Sequence, residues 1–417
     1  MLQVFVQIFW LVVGVLANVF HIQLHFQTSA YQRDCVDNRH PALQVKACEN
    51  VLAESTLKQG QRAVLYYNLG VAHYNNREFD KALLDYNSAI SLNPNFVEAR
   101  DNRGAVYISL GKYELAVQDF NAAIVANPKL SLPYSNRSFA NLKLKRIDLA
   151  ISDADKSISL NPSDPNAFYN RAHAYAAYGK LDLAIADFDQ FIALKPEDAS
   201  GYFERAKVLR SQKQFGRALS DLEVAAQRAQ NEAVIYSEIG LVLSLQGKYD
   251  AAILEHDQAI KLKPDFAEAY DRRGIALRQK GKLDEALRDL DQAIKLSPKI
   301  AAFYTHRGSI FDDKKDYVRA IPDHSQAIAL DVTSAIAFNN RCWAYAHFGL
   351  AKIALQDCDQ SIKLDPNSAE SFDSRGFVYQ QLGNNEKAKA DYKQALVLEP
   401  DLKSSVEALR QLETPSN

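Results

Sequence analysis

The residues nearest to acid–base chemistry in this chain are closely spaced carboxylates: Asp153 with Asp155, Asp187 with Asp189, Asp289 with Asp291 and Asp357 with Asp359. A carboxylate pair is a common acid–base device. These pairs, however, recur at multiples of one fixed interval, which assigns them to a scaffold rather than to a reaction centre. The nine histidines are scattered. His256 and His324 share one place in the interval and are expected to be core residues that carry a hydrogen bond. There is no Gly-rich phosphate loop, no nucleophile elbow and no metal-ligand spacing. The expectation is a non-enzymatic protein with no cofactor and no metal.

The interval is 34 residues, and it runs from Ala63 to Leu402 without an insertion or deletion. Alanine stands at the twentieth position of every unit, from Ala82 and Ala116 through to Ala388. The eighth position is always small, as in Gly70, Gly104, Ser138, Ala172 and Cys342, and proline closes eight of the ten units. Within a unit, apolar residues recur at helical spacing on either side of a short turn. Asn93-Pro94 shows how a unit ends, because the residue before proline resists the α region. Two short amphipathic helices per unit follow. Positions 8 and 20 are expected to face each other, and neighbouring units must stack because neither helix buries its apolar stripe alone.

The period, the small eighth residue, the twentieth alanine and the closing proline resemble the tetratricopeptide repeat, over residues 63–402. The resemblance implies an all-α, right-handed α-solenoid of about ten tandem helix-turn-helix repeats at 63–96, 97–130, 131–164, 165–198, 199–232, 233–266, 267–300, 301–334, 335–368 and 369–402. Aromatic residues such as Tyr134, Phe168 and Tyr202 replace the tryptophan usual at position 4. The fifth repeat ends without proline, and Pro322 lies inside the second helix of the eighth, where an interior proline predicts a kink.

The two ends differ from the array. Residues 1–30 contain no Lys, Arg, Asp or Glu, and Val4 to Phe20 is almost unbroken apolar sequence. That reads as a signal peptide, or as an uncleaved anchor that would be the chain's only membrane contact. Residues 31–62 read as a capping half-repeat and residues 403–417 as a capping helix and tail. Net charge is −2, with no basic stripe for nucleic acid. An export signal before a cysteine-bearing half-repeat resembles exported, periplasmic bacterial tetratricopeptide proteins.

Four cysteines fall in two pairs. In the repeat frame Cys35 and Cys48 occupy positions 11 and 24, and Cys342 and Cys358 occupy positions 8 and 24, on opposing helices in each case. After an export signal, facing cysteines fit two disulfides; the alternative is that each is a small buried hydrophobe. Position 7 is arginine in eight units (Arg103, Arg137, Arg171, Arg205, Arg273, Arg307, Arg341, Arg375) and position 23 is acidic in all ten. This predicts an internal ion-pair ladder, with capture of an anionic ligand as the alternative. Leu69 and Ile239 interrupt it, so Asp85 and Glu255 are expected to find Arg103, Arg273 or water.

In tetratricopeptide arrays the first helix of each repeat lines the concave groove. This places an asparagine row there (Asn68, Asn102, Asn136, Asn170), beside Tyr67, Tyr74, Phe139, Tyr169, Phe203, Trp343 and Phe377. An amide row could hold a peptide backbone, or serve hydrogen bonding within each repeat, while exposed aromatics mark interaction sites. The N-terminal half is expected to be the main peptide site, with Asp271, Arg278, Trp343 and Asp373 giving specificity. The function implied is a protein- or peptide-binding adaptor of the cell envelope; a membrane-anchored assembly scaffold is the alternative.

Overall fold

The structure, a computed structural model, describes Cys35, residues 41–53 and residues 57–413. The expected leader at 1–30, most of 31–40 and the last four residues of the tail lie outside them. The described residues are α-helical throughout, with no strand among them. No helix of the described residues is long and apolar enough to cross a membrane.

The chain divides into two compact units, Met1–Arg228 and Ala229–Asn417. In the first, α1 (Pro41–Leu52) precedes five helix pairs: α2 (Gln59–Asn75) with α3 (Phe79–Leu92), α4 (Val97–Ser109) with α5 (Tyr113–Ala126), α6 (Ser131–Lys143) with α7 (Ile147–Leu160), α8 (Pro165–Ala177) with α9 (Leu181–Leu194), and α10 (Ala199–Ser211) with α11 (Phe215–Arg228). The second unit holds α12 (Ala233–Leu245) with α13 (Tyr249–Leu262), α14 (Ala267–Gln279) with α15 (Leu283–Leu296), α16 (Ala301–Asp313) with α17 (Tyr317–Leu330), α18 (Ala335–His347) with α19 (Ala351–Leu364), and α20 (Ala369–Gln381) with α21 (Asn385–Leu398). It closes on α22 (Lys403–Glu413), whose Leu409 packs on Ala388 and Tyr392 as an end cap.

Each hairpin turns on a left-handed residue at position 15. Six repeats use glycine there (Gly111, Gly179, Gly247, Gly281, Gly349, Gly383), and four hold Arg77, Lys145, Lys213 and Lys315 at φ between 58° and 62°. Beyond the turn the two backbones close up as the small eighth residue requires. Its main neighbour is the side chain at position 24 rather than the alanine at 20. A Cβ on Gly104 would lie 2.5 Å from the Phe120 ring, and one on Gly240 would lie 2.5 Å from His256. Position 20 contributes its backbone: Ser138 Oγ donates to the Ala150 carbonyl at 2.7 Å. Ser138 and Cys342, the two polar or sulfur-bearing residues at position 8, stand with small residues at position 24, Ala154 and Cys358.

Between repeats, Phe191 at position 27 fills the space left by Gly201 at position 3 of the next repeat. A Cβ there would stand 2.6 Å from its ring. α17 continues unbroken through Pro322 and keeps the 14-residue length of its counterparts.

Candidate binding face of the first helices

The arginine row is structural, and it does more than brace each hairpin. Arg171 donates from Nε and Nη2 to the two oxygens of Asp187, both at 2.7 Å, and Arg205 does the same to Asp221 at 2.7 and 2.6 Å. Nη1 of each reaches back to position 25 of the preceding repeat, Asp155 at 2.7 Å from Arg171 and Asp189 at 2.5 Å from Arg205. Asp257, Asp291 and Asp359 repeat this contact for Arg273, Arg307 and Arg375. Each Asp-x-Asp pair is thus divided between two arginines, its own repeat's and the next one's. The position-4 aromatic supports the guanidinium, with Tyr134 centred 5.5 Å from Arg137 and Tyr202 5.8 Å from Arg205. Bidentate carboxylate bonding holds the Arg171 guanidinium charged, well above the ordinary arginine range. Where Leu69 interrupts the ladder, Asp85 does not turn to Arg103. His73 Nδ1 lies 2.6 Å from its carboxylate instead.

The two histidines at position 24 also part company. His324 Nε2 lies 2.8 Å from Asp312, whereas His256 is fully buried with neither ring nitrogen hydrogen-bonded, contrary to expectation. Burial, with the charges of Arg272 and Arg273 behind it, lowers the His256 pKa to about 3.

The expected peptide residues are largely engaged inside the protein. Asn136 is 1% exposed and donates from Nδ2 to both oxygens of Asp101, at 3.2 and 3.1 Å. Asn170 Nδ2 donates to the Ser135 carbonyl at 3.0 Å, and Asn102 Nδ2 to the Tyr67 hydroxyl at 3.2 Å. The row therefore ties each first helix to the one before it, and Asn136 and Asn170 are not open to a ligand. Asn68 is half-buried.

Tyr67, Tyr74, Phe139, Tyr169 and Phe203 are buried. Tyr67 packs 5.1 Å from Phe96 and Tyr169 packs 5.0 Å from Phe191, centroid to centroid, so these rings are core rather than exposed anchors. Trp343 and Phe377 are half-buried and flank His347, at 4.2 and 4.6 Å. Of the other residues expected to give specificity, Asp271 meets His306 at 2.6 Å, Arg278 bonds Asp313 and Asp373 accepts from Ser405. Cys35 and Cys48 are buried and paired with Cα atoms 4.7 Å apart, as are Cys342 and Cys358 at 5.4 Å.

The opening on this face is a cavity of about 390 Å³ in the N-terminal unit. Tyr67, Glu98, Asp101, Asn102, Asp164 and Lys195 are among its polar lining, and Val97, Leu130, Leu132 and Pro133 are among its apolar walls. It is framed by the N-terminal ends of α4, α6 and α8. Asp164 caps α8 by accepting from the Asn166 amide at 3.0 Å. Burial raises the Asp101 pKa to about 7 against the opposing Asn136 bond, and the neighbouring Glu98 charge adds to the rise. Burial likewise raises Asp164 and lowers Lys195. Sequence reasoning missed Glu98, Asp101 and Asp164; the signal available was the same pair at positions 2 and 5 of repeats 7 and 10, Glu268 with Asp271 and Glu370 with Asp373.

Comparison with known proteins settles the family. Profiles of the tetratricopeptide repeat match residues 63–96, 97–130, 154–186, 267–300 and 369–402, and a further repeat profile of the same class matches 240–277. This chain is a tetratricopeptide repeat protein. A solved chain of the APC/C hetero-tetramer Cut9-Hcn1 shares 14% identity with it, over 92% of this chain and 95% of that one, at a TM-score of 0.53. A tetratricopeptide repeat protein from Parabacteroides merdae shares 16% identity, over 61% of this chain and all of its own length, at a TM-score of 0.50. Those likenesses concern the fold. No curated protein sequence matches. Tetratricopeptide arrays are interaction scaffolds, and the coarse role of this protein is accordingly that of a protein-binding adaptor.

Proposed function

We propose that this tetratricopeptide repeat protein is a non-enzymatic adaptor of the cell envelope that seats an extended segment of a partner protein against the first helices of its N-terminal unit. The observation that carries the proposal is the cavity at the starts of α4, α6 and α8, since ligand sites are concave, mostly apolar and supplied with a few polar groups. Export is supported by the uncharged apolar residues 1–30 and by two cysteine pairs within the Cα separation that a disulfide spans, roughly 4.4–6.8 Å. In an oxidising compartment both pairs would be bonded.

Photo-crosslinking in envelope extract tests the reading, with the probe placed at Leu132 on the cavity wall or at Leu149 on α7. The proposal expects a discrete adduct from Leu132 and little from Leu149. A second reading, an anchored scaffold that associates through its second helices, is favoured by the exposed row Leu115, Leu149 and Leu183, one per repeat. Adducts from Leu149 alone would overturn the first reading in favour of the second. N-terminal sequencing of the protein from cells shows whether residues 1–30 are removed.

A further inference from the structure

We propose that the cavity of the N-terminal unit is a subsite for a cationic side chain, the arginine or lysine of a bound segment, with Asp101 and Glu98 as its counter-ions. The inference rests on the peptide-binding reading above and adds the chemistry of one side chain of the ligand.

Charge comes first. Three carboxylates, Glu98, Asp101 and Asp164, line the cavity against one ammonium, Lys195. No basic side chain of the described residues forms an ion pair with any of the three. The Lys195 ammonium lies 5.8 Å from the centre of the Phe191 ring. Elsewhere most buried acids meet a base: the position-23 aspartates of eight repeats each receive a bidentate arginine, Asp85 receives His73 and Asp271 receives His306, whereas Asp373 is met by the Ser405 hydroxyl. A buried carboxylate left without a counter-ion is unfavourable, and a bound cation removes that cost.

Asp101 is the sharpest case. It is 5% exposed, and its only hydrogen-bond donor among the described side chains is the neutral amide of Asn136. That amide spends its NH2 group on the carboxylate, while its own Oδ1 is buried without a hydrogen-bond partner. A carboxylate lacking a cation and an amide oxygen lacking a donor thus lie side by side. A guanidinium or ammonium group at the cavity presents the positive charge that Asp101 lacks, and N–H donors for its carboxylate. Glu98, one helical turn before Asp101, adds a second negative charge at the cavity wall.

A metal ion fits less well, because no three acidic, histidine or cysteine side chains of the described residues converge on one point. A volume of about 390 Å³ with walls of Val97, Leu130 and Leu132 suits the aliphatic stem of arginine or lysine under its charged head.

The test uses the mature chain and three fluorescein-labelled alanine pentapeptides with blocked ends, whose central residue is arginine, lysine or norleucine. Fluorescence polarisation should show the arginine or lysine peptide binding at least tenfold more tightly than the norleucine peptide. Asp101→Asn, with Glu98→Gln as an independent second variant, should remove most of that preference while the thermal midpoint is kept. Equal binding of all three peptides overturns the cationic subsite and leaves groove binding standing. A preference that survives both variants overturns the assignment to this cavity. Failure of every peptide to bind overturns the subsite as well, while the Leu132 crosslink reports separately on the adaptor reading.

Discussion

The two units build the same hairpins and brace them with the same arginines, yet they treat the fifth position of their first helices differently. In the C-terminal unit, buried Asp271 is met by the His306 imidazole of the next repeat, and Asp373 by the Ser405 hydroxyl of the capping helix. In the N-terminal unit the equivalent Asp101 is met only by the Asn136 amide, beside a cavity. One backbone geometry therefore supports an acid met by an imidazole at Asp271, an acid met by a hydroxyl at Asp373, and at Asp101 an acid met by an amide that also lines a cavity.

If the arginine clamp is common scaffold, removing it should cost the same in either unit. Arg171→Ala strands Asp187 and releases Asp155, and Arg307→Ala does the same to Asp323 and Asp291. The aspartate is buried but the guanidinium is about one-fifth exposed. Each variant should therefore lose about 2–4 kcal/mol, between the buried and exposed limits. Urea midpoints measure this. A loss confined to one unit would show that the ladder is not a shared device.

Features private to one unit should act privately. In the N-terminal unit, Gly201→Leu drives a side chain into Phe191 and Ile192 and should destabilise by about 1–3 kcal/mol. An unchanged midpoint would show that the contact relaxes without cost.

In the C-terminal unit, His256 should make folding sensitive to acid. Its folded pKa of about 3 lies below the ordinary value of 6.5, so the unfolded chain binds the extra proton first. The stability is fully present above pH 6.5 and is lost as pH falls toward 3, which amounts to about 2 kcal/mol by pH 5. His256→Phe copies the Phe120–Gly104 contact and should flatten that part of the pH profile. An identical slope in the variant would contradict the assignment.

The smallest effect expected is at the turns. Lys213→Gly in one unit and Lys315→Gly in the other relieve left-handed φ values of 59° and 58° and should each stabilise by roughly 0.5–1 kcal/mol. Thermal melts would detect it, and a loss of stability would refute it.

The scaffold was open to sequence reading because each repeat touches mainly its neighbours, so the structural period is the sequence period. The Arg171–Asp187 brace, the Phe191–Gly201 contact and the facing cysteine positions all follow from that frame. The third arginine contact was visible as the second aspartate of each Asp-x-Asp pair, once position 25 is read against the following repeat. The asparagine row misled because position 6 meets position 5 of the preceding first helix, a contact no single repeat contains. Asp101, Glu98 and Asp164 were hidden for the opposite reason. They recur nowhere as a set, and their meeting depends on how three repeats stack.

The central claim is that a partner segment seats on the N-terminal unit's first helices and not on their C-terminal counterparts. Leu132 and Ala302 occupy the same position of repeats 3 and 8, one on the cavity wall and the other exposed. A photo-crosslinker placed at each, in otherwise identical protein and extract, asks the question directly. The account predicts a strong partner adduct from position 132 that Asp101→Asn weakens, with little from position 302. Equal adducts from both positions, or a stronger one from 302, would contradict it.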